Sequence, residues 1–451
     1  MTSLRTDLRL AWELTRGSDR GEWWRVALTA AGAALATGFA LAAVALAALR
    51  GQYNVPVAAG LLNQPGTRSG VIAGLLLLLV PVLGFLGQCA RIGAVHRDRR
   101  LAGLRLAGAT PWQVRRIAAL ETGLACLLGS VVATVFSVLL LLRLWDRPTA
   151  PAWAGIALVA VAVPLLGAAA GALALRRVVA SPLGRVRRIA PPRTGRGPGL
   201  LFLAGLLLVG AATLFAVLST SSAAAGRPSA GLPLTMVGAV LAVGAGSVWL
   251  SGAVAKVTGR MLAVRARSAA MLIAAERLRD DPWAAARTHA AVLLVTVVGT
   301  GFMGIREVLG DVVRTRRFSE RADYYLTGLD LTGAAIAVAF AITLSGLAVG
   351  TAESLATRRR GLAAQTAAGV PRAVLGRSLL LETALPLAPA VLLAGLGGTA
   401  IGTWYALLSH QPVPWMTSLV PLAVYATCLL AAATSLPLLG RSVRPGELRY
   451  A

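Results

Sequence analysis

Residues 26–49 read VALTAAGAALATGFALAAVALAAL, 24 consecutive residues without a charged side chain. At about 1.5 Å per residue, a helix of this length covers the roughly 30 Å hydrocarbon core of a bilayer. The run is longer than the roughly 7–15 residues of a signal-peptide core, so it reads as a spanning helix and not a cleaved leader. Nine similar runs follow, at about 71–90, 122–142, 153–175, 200–218, 234–255, 288–305, 331–352, 384–408 and 417–439. Pro81, Pro164, Pro389 and Pro421 fall inside these runs. Neighbouring helices can satisfy the carbonyls that a proline frees in a membrane, so the runs stand. The expected fold is an all-α integral membrane protein with about ten transmembrane helices.

Composition agrees. Of 451 residues 57% are hydrophobic and 14% charged, with a mean hydropathy of +0.72. A soluble domain is about 45–50% apolar and about 25% charged. The net charge of +26 does not imply a nucleic-acid partner, because the arginines sit in short clusters between apolar runs, as in cytoplasmic loops. Cys89, Cys126 and Cys428 all lie within apolar runs, which suits small hydrophobes and offers no disulfide or metal framework. Ahead of the first run, Leu4, Leu8, Ala11 and Trp12 share a helical face, with Arg5, Asp7, Arg9 and Glu13 around it. Residues 1–25 are therefore expected as a cytoplasmic amphipathic segment.

Basic residues set the orientation. With the N-terminus inside, the cytoplasmic segments hold 34 of the 44 Lys and Arg residues and the outer loops 10. That bias places both termini in the cytoplasm of a multi-pass plasma-membrane protein. The dissenting outer loop, 306–330, carries Arg306, Arg314, Arg316, Arg317 and Arg321 against Glu307, Asp311, Glu320, Asp323 and Asp330. It is nearly neutral and is expected as a loop or a small cap.

The chain also repeats itself. Arg97–Thr122 reads RDRRLAGLRLAGATPWQVRRIAALET, and Arg358–Thr383 reads RRRGLAAQTAAGVPRAVLGRSLLLET. At an offset of 261, Arg97 meets Arg358, Gly108 meets Gly369, Arg116 meets Arg377 and Glu121-Thr122 meets Glu382-Thr383. Thr37-Gly38-Phe39 and Thr300-Gly301-Phe302 pair at 263. Each copy follows the second span of its half, and an even number of crossings separates them. The repeat is therefore parallel: a four-span unit at 26–199, an inserted two-span linker at 200–255, and a second four-span unit at 256–451.

The repeated stretch reads as an elbow. A helix from Arg97 to about Ala107 stops at Gly108, a residue suited to the left-handed position after a helix. Thr110 caps a new helix with Pro111 at its first position, where the missing N–H costs nothing. The second copy turns at Gly369-Val370-Pro371, and valine is a poor cap, so that corner is expected to be less well defined. Glu121 and Glu382 fall near the cytoplasmic starts of the third and ninth spans. There they can offset a helix N-terminus, pair with arginine, or contact the moving elbow.

These motifs resemble the FtsX-like permease family, membrane subunits of the mechanotransmission class of ABC systems. The residues that carry the likeness are Arg99-Arg100, Ala107-Gly108-Ala109-Thr110-Pro111, Val114-Arg115-Arg116 and Glu121. Leu278-Arg279-Asp280-Asp281-Pro282 and the ending Val443-Arg444-Pro445-Gly446-Glu447-Leu448-Arg449 are also similar to the family's patterns. Gln365-Thr366 departs from the apolar residues usual in the second copy. The outer loops are too short for the extracytoplasmic domain that many relatives carry.

The resemblance implies a dimer of a cytoplasmic ABC ATPase as partner, with ATP and magnesium bound there and no cofactor on this chain. The sequence fits, since its only lysine, Lys256, lies in no Gly-Lys-Ser/Thr loop, and a phosphate-cradling P-loop needs one. The coupling candidates are Arg97, Arg99, Arg100, Gly108, Thr110, Pro111 and Glu121, with Arg358, Arg359, Arg360, Gly369, Pro371 and Glu382. Their arginines would also meet anionic lipid of the surrounding bilayer. The expected function is ATP-driven rearrangement that exports, extracts or confers resistance to an amphipathic compound or peptide. The alternative is a non-transporting regulator of a sensor kinase or a cell-envelope hydrolase. An ion-coupled transporter fits less well, because the middles of the spans carry no charge.

Overall fold

The computed structural model describes residues 20–49, 51–52, 60–63, 65–89, 103, 106, 108–145, 148–174, 231–315 and 322–442. Among them every long element is helical: α1 Arg20–Ala48, α2 Pro65–Cys89, α3 Pro111–Leu144, α4 Ala150–Ala174, α5 Gly231–Arg265, α6 Ala269–Asp280 and α7 Pro282–Thr315. Then follow α8 Ala322–Thr357, α9 Arg359–Ala367, α10 Arg372–Leu408, a 3₁₀ turn at Met416–Ser418, α11 Leu419–Ala433 and α12 Leu436–Ser442. Among the described residues eight helical stretches are long and apolar enough to cross a membrane: Val26–Ala48, Arg68–Leu86, Trp112–Leu144, Ala150–Ala169, Thr288–Arg314, Ala322–Thr357, Arg372–Leu407 and Met416–Gly440. The expected span at 234–255 falls within α5. That at 200–218, like the amphipathic stretch before Arg20, lies outside the described residues.

These helices run on through Pro81, Pro164 and Pro389. Their outward faces stay apolar, with Leu83, Phe136, Leu158 and Leu396 all more than 60% exposed. In water that surface would be unfavourable. In a bilayer it is the required lipid contact.

Residues 306–330 differ from expectation. Arg306 to Thr315 continue α7, and Ala322 to Asp330 open α8. A segment read as a loop is mostly helix, because its charges alternate with apolar residues and no glycine or proline pair breaks the helical period.

The chain divides into two compact units, Met1–Ile189 with Asp323–Thr357, and Ala190–Ala322 with Arg358–Ala451. The second sequence repeat is therefore not one packing unit. Its helix α8 is grouped with the first half, where Ile342 and Val349 pack with Ala36, Val82, Phe85 and Cys89 of α1 and α2. In that first unit α1 touches α2, α3 and α4, and α3 touches α4. Arg68, in the first turn of α2, is buried against the α1–α2 connection, donating to the carbonyls of Leu49, Gly51, Leu62 and Asn63 at 2.7–3.1 Å. Its charge sits at the C-terminal end of α1, where the helix dipole favours a cation.

In the second unit α7 touches α10 and α11, and α10 touches α11. This reproduces the α1–α3, α1–α4 and α3–α4 neighbours of the first unit. The α7–α10 seam depends on small residues. A Cβ on Gly398 would lie 2.6 Å from Thr300 Cβ and 2.7 Å from the Val297 carbonyl, and one on Gly402 would lie 3.0 Å from Gly304 Cα. Gly398 and Gly402 are four apart, the small-residue spacing that lets membrane helices approach closely. Thr37 and Thr300, paired by the repeat, are both fully buried.

Candidate functional site

The two elbows share a left-handed glycine but close their turns in different ways. In the first, Gly108 adopts φ +94°, a left-handed conformation. Thr110 is the N-cap of α3, with its side chain accepting from the Gln113 amide at 3.3 Å. The Gln113 side chain accepts from the Thr110 amide at 2.8 Å, which completes a reciprocal capping box. Pro111 occupies the first position of the helix. The arginines expected to precede this turn, Arg97, Arg99 and Arg100, lie outside the described residues.

In the second elbow Gly369 takes φ +90°. Its amide donates to the Thr366 carbonyl at 3.0 Å, and the Val370 amide donates to the Gln365 carbonyl at 3.0 Å. Those two bonds form a Schellman motif, which satisfies carbonyls at the end of α9. The N-cap of α10 is Pro371, not Val370, and no side chain caps it. As expected, the second corner has no side-chain cap. The preceding helix end holds it.

Below each turn the helix faces match. Val114 and Leu375 are buried, as are Ile117 and Ser378. Thr122 donates to the Ala118 carbonyl, and Thr383 to the Leu379 carbonyl, both one turn back. Glu121 is buried on α3. Both α3 and α10 run unbroken from the elbow into a candidate span.

Glu382 is the junction of the second elbow. Arg358, the N-cap residue of α9, directs one Nη to both carboxylate oxygens at 2.8 and 3.0 Å. Arg277 of α6 reaches the same carboxylate at 3.4 Å. The three side chains are 14% (Arg277), 35% (Arg358) and 20% (Glu382) exposed. Burial pushes the Arg277 guanidinium below its ordinary value; the Glu382 charge pulls it back up, and Arg358 lowers it further. One carboxylate therefore holds together two mutually repelling cations from two helices. Arg359 is half-buried and Arg360 exposed on α9, which rests on buried Leu362 and Ala363.

Two participants were missed in the sequence. Gln113 had a visible signal, since Thr-Pro-Trp-Gln has the capping-box spacing. Arg277 had a weaker one. On α6, capped by Ser268, the buried face is Ala270, Ala274, Ala275 and Leu278, and Arg277 borders that face. No group of three or more His, Cys, Asp or Glu suited to a metal occurs among the described residues.

No curated protein matches the chain. The family model of the FtsX-like permease C-terminal domain matches residues 72–183, a stretch that holds most of α2, the first elbow, α3 and α4. Residues 72–183 are thus matched by an FtsX-like permease domain, carried within a multi-pass membrane protein.

Proposed function

We propose that the chain converts ATP-driven movement of a separate cytoplasmic ATPase dimer into rearrangement of its spans and outer face. The observation that carries this reading is the Arg358–Glu382–Arg277 junction, which ties the elbow helix α9 to α10, three turns into that helix, and to α6. A push on α9 reaches α10 through a charged contact and a tight turn, with little slack to absorb it. Two repeat-related elbows on one chain suit a two-fold partner. The other arginines of the elbows, Arg97, Arg99, Arg100, Arg359 and Arg360, would meet acidic grooves on that partner, while Arg358 is held by Glu382.

The connections after α1 and after α10 are short, so the substrate in this reading is reached from the bilayer: an amphipathic compound or peptide that is extracted or exported. The test is reconstitution in proteoliposomes with a cytoplasmic ABC ATPase that co-purifies with this chain. ATP hydrolysis should rise with the chain present and rise again with an amphipathic peptide. An ATPase rate indifferent to the chain would refute the coupling. Stimulation with no movement of any peptide would favour the regulator of a sensor kinase instead.

A further inference from the structure

A groove of about 480 Å³ runs between the first two turns of α10 and α12, lined by Arg372, Gly376, Arg377, Leu380, Leu436 and Leu439 among others. Gly376 opens it: a Cβ there would meet Leu436 only at 3.6 Å, and glycine leaves that space unfilled. The floor is apolar. Among the described residues no carboxylate lines it.

Both walls lie at ends of candidate spans, Arg372–Leu407 and Met416–Gly440. The short connection 409–415 makes these spans antiparallel neighbours, so Arg372 and Gly440 lie at the same membrane boundary. The groove is therefore where headgroups meet acyl chains. Arg372 and Arg377 are exposed and make no hydrogen bond or ion pair among the described residues. The start of α10 has no side-chain cap, so its positive end adds to theirs.

We infer that this groove is a binding site for one anionic phospholipid, its headgroup phosphate held by Arg372 and Arg377 and an acyl chain laid along Leu380 and Leu436. A zwitterionic lipid brings its own cation to the two guanidiniums and fits less well. The lipid site does not depend on the coupling reading, since it concerns the chain alone.

The test is native mass spectrometry of the full-length protein released from detergent with added phosphatidylglycerol or phosphatidylcholine. One phosphatidylglycerol should be retained per chain under activation that strips phosphatidylcholine. At the usual strength of a basic residue for an anionic surface, Arg372→Gln or Arg377→Gln should weaken retention about fivefold, and the pair about thirtyfold. Gly376→Leu keeps both charges and fills the groove, and it should also abolish the retained lipid. Arg260→Gln with Arg265→Gln, which removes exposed charges at the end of α5, should leave retention unchanged. Equal retention of the two lipids, unaltered binding in Gly376→Leu, or equal loss in the α5 control would overturn the site. Displacement by millimolar inorganic phosphate would show a soluble anion's site and overturn the lipid assignment.

Discussion

Replacing Glu382 with glutamine tests the junction without changing its shape. The substitution takes the charge from the paired 2.8 and 3.0 Å bonds to Arg358 and from the 3.4 Å approach of Arg277. A hydrogen bond to a charged group contributes about 1.5–3 kcal/mol, and the lower end applies to a pair that still sees solvent. The long Arg277 interaction adds less as a bond. Without it, however, a largely buried guanidinium is left beside another cation, and breaking one partner of a buried pair is the costly way to perturb it. Together these give about 2 kcal/mol for Glu382→Gln, read as a lower midpoint in chemical unfolding of the detergent-solubilised protein.

The sharper expectation is a change of sign. Arg277→Gln should destabilise the native chain by about 1 kcal/mol, because it removes a ligand of the carboxylate. In the Glu382→Gln background the same substitution should stabilise, because it removes a guanidinium that burial already disfavours and relieves its repulsion with Arg358. A double-mutant cycle isolates the effect. Additivity of Arg277→Gln and Glu382→Gln within about 0.3 kcal/mol would refute the junction.

The turns and the seam give further tests. A Cβ at Gly108 or Gly369 meets nothing within 4 Å, so Gly108→Val and Gly369→Val should act through the left-handed backbone alone. That costs about 1–2 kcal/mol; amide exchange at Gln365–Val370 should speed up in the second variant, and ATPase stimulation should fall in both. Thr110→Ala removes the capping box at a cost of about 1 kcal/mol, seen as about fivefold faster exchange of the Gln113 amide. Gly398→Ala presses a methyl against Thr300 and the Val297 carbonyl; overpacking of about 1–3 kcal/mol should lower the unfolding temperature, whereas Gly376→Ala, with room to spare, should not.

Much of this was legible because it is local. Apolar runs of bilayer length announce spans, and the glycines at 108 and 369 announce left-handed turns because few other residues tolerate them. Thr110 and Pro111 announce a helix start in the same way. Other features depend on distance in sequence. Arg277 meets Glu382 across 105 positions, and nothing near either residue records the other. Helix α8 is grouped with the first half of the chain although the repeat assigns it to the second, because an apolar helix carries no label for which apolar neighbour it will choose. Charge also misled: the mixed residues of 306–330 suggested a loop, yet Asp311 and Arg314 stand three apart on α7, and Asp323 lies in the first turn of α8, where a helix favours an acid. Arg68 counted toward orientation, but it is consumed by four backbone carbonyls.

Photocrosslinking from the elbows to the ATPase tests the central claim most directly. Leu106 and Ala367, equivalent through the repeat and both exposed, would each carry a benzophenone amino acid in the full chain, co-expressed with its ATPase. Force transfer through both elbows predicts covalent adducts with the ATPase from both positions, changed in yield when ATP hydrolysis is blocked. Adducts from neither position, or from only one of the two, would contradict it.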